Sequence, residues 1–183
     1  MVRGLFGGAI TLELPDRFED VSAYRHVPDN QEVLADATTD ESLIVEILEH
    51  VPTVSDEESA RFFFLDLADL NGSAVREIER VEAADVPSLR EGGAAHYASF
   101  AVGSQRVAKH RQVPEAANVV ATFVGNVRLP DRQTDVLITM SSPTAICPES
   151  ASRSARGGDQ DAALALFRAA LRTFAIVDWG LFG

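Results

Sequence analysis

Residues 38–51 read Thr38-Thr39-Asp40-Glu41-Ser42-Leu43-Ile44-Val45-Glu46-Ile47-Leu48-Glu49-His50-Val51, and the folding of this stretch decides the architecture. Wound at about 100° per residue, Leu43, Ile44, Ile47, Leu48 and Val51 fall on a single apolar stripe. Thr38 and Glu41 have the spacing of a capping box, and Asp40 adds negative charge to a first turn. The pattern predicts a helix over Thr38–Val51. Its outer face would carry Ser42, Glu46 and Glu49, with the two acids three apart and side by side. Taken alone, such a pair reads as an ordinary solvated face.

Outward from there, the N-terminal side is extended. Ala9–Pro15 alternates, with Ile10, Leu12 and Leu14 on one side, the period of a half-buried strand. Pro28-Asp29-Asn30 signals a turn, and Glu32–Ala35 reads as a short strand. On the C-terminal side, Ser55 and Glu58 repeat the capping spacing. Ala60, Phe63, Phe64, Leu67 and Leu70 then follow the helical period up to the stop Asn71-Gly72, which predicts a helix despite the strand-like run Phe62-Phe63-Phe64-Leu65. Val75–Glu82, Ala95–Val102, Asn118–Leu129 and Thr134–Met140 are rich in β-branched and aromatic residues and read as strands. Val119–Val127 is mostly apolar and belongs inside a sheet covered on both faces. Residues 141–160, rich in Pro, Ser, Gly and Ala and without a period, are expected to form a flexible loop. Asp161–Phe174 reads as a last helix, and the tail from Val177 to Gly183 carries apolar anchors that could dock it. A strand, helices, several strands and a helix, without βαβ alternation, predict an antiparallel-rich sheet with helices on its faces.

The chain of 183 residues fits one domain, 1–183, with a net charge of −12. Residues 1–100 carry 21 Asp and Glu against 7 Arg, whereas residues 101–183 are slightly basic. An acidic half repels phosphate backbones and anionic lipid, so neither nucleic acid nor membrane insertion is expected, and a basic protein surface suits it better. No apolar run is long enough to span a bilayer and no signal peptide is evident, so a soluble intracellular protein is expected. Nucleotide-cradling glycine loops and nucleophile elbows are absent. His26, His50, His96 and His110 are scattered, the single Cys147 pairs with nothing, and Lys109 is the only lysine. No cofactor, metal or small-molecule catalytic site is expected.

Several blocks, in one order, carry a resemblance. They are Leu5-Phe6-Gly7-Gly8-Ala9-Ile10, then Val27-Pro28-Asp29-Asn30-Gln31-Glu32-Val33, then Asp40 through Glu49. Asp66-Leu67, Leu70-Asn71-Gly72, Arg128-Leu129-Pro130, Gln133 through Ile138 and Leu181-Phe182 follow. Over essentially its whole length the chain resembles the Ran guanine-nucleotide release factor (Mog) family. The likeness is weak over Val86–Pro114 and residues 141–160.

The resemblance implies an α/β fold with a six-stranded, largely antiparallel sheet between helices, shared with the extrinsic photosystem II protein PsbP. It implies a monomer that binds the small GTPase Ran and promotes release of its nucleotide, in nucleus and cytoplasm, in support of nuclear protein transport. The family's acidic pair at the Ran contact corresponds to Glu46 and Glu49, where Glu46 replaces the usual Asp. Asp29 and Glu32, in the block bordering that face, are secondary candidates. The alternative is a Ran-binding interaction or chaperone module without release activity. A thylakoid-type extrinsic subunit is a more distant reading.

Overall fold

The stretch at 38–51 is a turn followed by a strand, which overturns the expected helix. In the computed structural model, which describes residues 1–73, 75–92, 96–108 and 112–183, the elements are β1 (Val2–Leu5), β2 (Ile10–Glu13), β3 (Glu19–Asp20), β4 (Gln31–Asp36), β5 (Glu41–Glu49), α1 (Asp56–Leu70), β6 (Arg76–Ala83), β7 (Tyr97–Val107), β8 (Asn118–Leu129), β9 (Thr134–Ala145), α2 (Gln160–Thr173) and β10 (Ala175–Ile176). The turn is closed by Asp36. Its carboxylate accepts from Thr38 N at 2.8 Å and its carbonyl from Asp40 N at 2.8 Å. Asp40 takes a left-handed φ of 59°, which one short polar residue tolerates and a helix start does not. Thr38 and Glu41 therefore cap nothing. From Glu41 the chain pairs with β4 on one side and β9 on the other.

A central strand explains the mistaken period. With apolar residues on both of its faces, the strand need not alternate with polar ones, and a short continuous run looks the same as one side of a helix. Leu43 and Val45 point into one core, and Leu48 packs toward another on the opposite face. The β-branched Ile44, Val45 and Ile47 favour this pleated surface.

Among the described residues, two sheets replace the expected six-stranded one. Seven strands run in the order β3-β4-β5-β9-β8-β7-β6, and β1-β2-β10 form a smaller sheet. All the pairings are antiparallel. The extra strands are short ones with no hydrophobic period of their own. β3 and β10 have two residues each, and β1 is fixed by pairing with β2.

Helices cover the large sheet on both sides. Ala60, Phe63 and Phe64 of α1 meet Ala101, Val124 and Leu137. Phe167 of α2 meets Phe100 and Phe123 with ring centres 5.9 and 5.6 Å apart. Almost every residue of β8 is buried, as its apolar run demanded. Helix α1 sits where its period placed it and ends at Gly72 with a left-handed φ of 61°. Ser55 precedes it, but its side chain makes no capping bond.

The tail docks through β10 and through Trp179, Leu181 and Phe182, which pack on the larger core. His96 holds it from the other side, stacking on Trp179 at 5.4 Å while Nε2 donates to Asp131 at 2.9 Å. Ala95, Lys109 and His110 lie outside the described residues.

Residues 141–160 begin as strand, since β9 continues to Ala145. Beyond it the chain is tied to its neighbours by hydrogen bonds. Gly158 N donates to Pro143 O at 2.7 Å, Arg156 N to Thr38 O at 3.0 Å and the Ser152 hydroxyl to Asp40 at 2.6 Å. Ser150 and Ser152 are buried by this. Polar anchoring of small side chains leaves no trace in hydrophobic periodicity.

Candidate functional site

Glu46 and Glu49 both lie on β5, and a strand sends them to opposite faces of the sheet, because successive side chains alternate. They stand about 10 Å apart along the chain, not side by side. Glu46 is half-buried on the face that α1 shares, opposite Gln31 of β4 and Leu137 of β9. Glu49 is exposed at the very end of the strand, opposite Thr134.

Helix α1 packs on β6, β7 and β8, leaving β4 and the first half of β5 beyond it. A cleft of about 610 Å³ opens over that part of the sheet, with Val33, Ala35, Ser42, Ile44 and Ser141 in its lining and Arg25 beside them. Glu46 lies two residues along the same face from Ile44.

The Pro28-Asp29-Asn30 turn docks against this end of β5. Gln31 N donates to Pro28 O at 2.9 Å and Ile47 N to Asn30 O at 2.9 Å. Gln31 Nε2 donates to Glu46 Oε1 at 2.7 Å, and Asn30 Nδ2 lies 3.5 Å from the same oxygen. Asp29 is exposed at the tip of the turn. Glu32 points to the other face, where its carboxylate accepts from Phe6 N at 2.6 Å and clamps the Phe6–Gly8 turn. Phe6 itself has a left-handed φ of 50°, so this clamp offsets a strained backbone. Of the four candidate acids, Glu46, Glu49 and Asp29 gather at one end of β5, and Glu32 is turned inward. Gln31 and Asn30 were missed as site residues because a cross-strand pair is visible only once β4 and β5 are known to be a hairpin.

A buried polar cluster fixes the chain just after Glu49. Arg128, 2% exposed, donates to Val51 O at 2.7 Å and to Val54 O at 2.6 Å. Its guanidinium lies 3.2 Å from the fully buried Asp135 and 3.3 Å from the His50 ring. Asp135 also accepts from Val51 N at 2.9 Å. The connection from β5 to α1 is thus pinned from beneath. No single block of sequence announces this cluster, whose members come from β8, β9 and the link.

At the other end of the hairpin, two buried acids, Asp36 and Glu41, share Arg17, each 2.6 Å from its Nη1. Burial would push the Asp36 carboxyl up. The hydrogen bonds from Thr38 N and the Thr39 hydroxyl, and the Arg17 guanidinium, outweigh that and hold it below 3.8. A carboxyl lowered on folding stabilises the fold above its unfolded pKa and loses that contribution as pH falls through its folded value. Asp36→Asn is therefore expected to be less stable than the native chain at pH 7, with the gap narrowing below about pH 4. Urea unfolding at pH 7 and pH 3 measures this, and a gap of constant size would contradict it.

The fold and sequence have relatives. A Danio rerio protein named Ran guanine nucleotide release factor is 36% identical over 192 residues, covering 100% of both chains. The Schizosaccharomyces pombe nuclear import protein mog1 is 37% identical over 144 residues, covering 76% of this chain and 75% of its own. The crystal structure of the Saccharomyces cerevisiae Ran-binding protein Mog1p superposes with a TM-score of 0.73 at 29% identity, over 100% of this chain and 98% of that one. The solution structure of cyanobacterial PsbP from Synechocystis, at 16% identity and a TM-score of 0.55 over 96% of this chain and 91% of that one, shares the fold alone. Residues 3–143 match the model of the Ran-interacting Mog1 protein, and the chain belongs to that family.

Proposed function

We propose that this protein binds the small GTPase Ran and promotes release of its bound guanine nucleotide, in support of nuclear protein transport, working between nucleus and cytoplasm. The observation that carries the reading is the family match over residues 3–143, with full-length similarity to a relative named for that activity. The protein acts as a regulator of its partner and brings no small-molecule catalytic centre of its own.

A release factor must bind the nucleotide-free GTPase more tightly than the loaded one, because only differential affinity shifts an equilibrium. The acids at the end of β5 supply a means. Glu46, and Glu49 on the other face, engage basic groups of Ran that otherwise hold phosphate, and partly replace the nucleotide's negative charge. The open face beside Glu46 gives the partner access.

The test is nucleotide release from Ran loaded with a fluorescent guanine nucleotide. Release is expected to quicken with rising concentration of this protein, and a complex with nucleotide-free Ran should survive on a sizing column. Complex formation without faster release would reassign the protein as a Ran-binding module.

A further inference from the structure

We propose that Gln31, assisted by Asn30, is a positioning residue that holds Glu46 in one posture before a partner arrives. The proposal rests on the reading of Glu46 as a contact for a basic group of the GTPase. Gln31 and Glu46 are a directly opposed pair across β4 and β5, so their side chains leave the sheet on one face within reach of each other. The Gln31 amide donates to Oε1 at 2.7 Å. A carboxylate only accepts, which settles that the amide presents its NH2 end.

Asn30 makes the arrangement rigid. Its amide nitrogen lies 3.5 Å from the same Oε1 and donates to the Ile47 carbonyl at 3.2 Å. Its own carbonyl accepts from Ile47 N at 2.9 Å, so this turn cannot shift without breaking the register of β5. Both amides act on one oxygen. Among the described residues no donor reaches Oε2, which is left for an incoming cation.

Glu49 provides the contrast. It ends the strand exposed, on the opposite face, and among the described residues no hydrogen bond or ion pair holds its carboxylate. An acid of that kind must be ordered on binding, at a cost in rotamer freedom that Glu46 has already met during folding. Glu46 is thus the pre-set contact and Glu49 the adaptable one.

The experiment is a double-mutant cycle of Gln31→Met and Glu46→Gln, with affinity for nucleotide-free Ran as the readout and thermal unfolding as the control. Gln31→Met keeps length and removes the donor. It is expected to weaken binding about 3- to 10-fold while lowering the melting temperature by no more than about 4 °C, and to change affinity less than 2-fold when Glu46→Gln is already present. Gln31→Glu is the second variant. It adds negative charge facing a basic partner, so charge alone predicts equal or tighter binding. Positioning predicts weaker binding, because a second carboxylate drives Glu46 out of place. Equal effects of Gln31→Met with and without Glu46 overturn the proposal, as does tighter binding by Gln31→Glu. If Glu46→Gln itself leaves affinity untouched, the contact reading falls and the proposal falls with it, an outcome distinct from the other two.

Discussion

Arg128→Ala is expected to destabilise the protein by about 3–5 kcal/mol, the cost of stripping one partner from a buried ion pair. The side chain is 2% exposed and Asp135 is fully buried, so the truncation strands a carboxylate where water does not reach. It also frees the Val51 and Val54 carbonyls, each of which now accepts from the guanidinium at 2.7 and 2.6 Å. In a chain of this size each kcal/mol moves the melting temperature by about 2–4 °C, so a fall of roughly 10 °C should be seen. Combining it with Asp135→Asn should recover part of the loss by removing the stranded charge. Thermal and urea unfolding decide the matter. A loss below about 1 kcal/mol would mean that the cluster is far better hydrated than its burial implies.

If Glu46 and Glu49 meet basic groups of Ran as proposed, reversing both to Lys should cost several kcal/mol of binding, since like charges then meet at the interface. The strand geometry sharpens the expectation for each acid. Glu49→Lys alters an exposed strand end and should change stability by within about 0.5 kcal/mol. Glu46→Lys loses the amide from Gln31 and should cost about 1 kcal/mol of stability besides its effect on binding. Native binding should also weaken with salt, because charges are screened beyond roughly 10 Å at about 0.1 M. Titration of each variant against Ran separates these effects. If the double variant binds with native affinity, the contact must be sought elsewhere, first at the exposed Asp29, since Glu32 is committed to Phe6 N.

The parts of the fold legible in the sequence are those where local period and tertiary demand agree. Helix α1 was readable because Phe63, Phe64 and Leu67 repeat at helical spacing and Asn71-Gly72 stops it. Strand β8 was readable because an apolar run of its length has few other uses. Strand β5 was misread because Leu43, Val45 and Ile47 serve one core, Leu48 serves another on the opposite face and Ile44 lines the cleft, so a stripe and a run are indistinguishable. What separates them is Asp36, whose side chain builds the preceding turn from five residues upstream of Glu41. The candidate acids came from resemblance, and their arrangement depended on the misread element. The same residues that looked like neighbours on a helix became opposite faces of a strand, and Gln31, unremarkable in the sequence, became the closest polar contact of Glu46.

The pairing of β2 with β10 has a consequence during synthesis. Ile10 waits for Ile176 before the small sheet can close. At ribosomal rates of about 5–20 residues per second, that wait is on the order of 10–30 s. Ile10, Leu12 and Leu14, all at most 1% exposed once folded, have no finished core to enter in that interval. A nascent chain halted before Ala175 should therefore engage holding chaperones and be cut readily by protease near its N-terminus, and both should cease once β10 has been made.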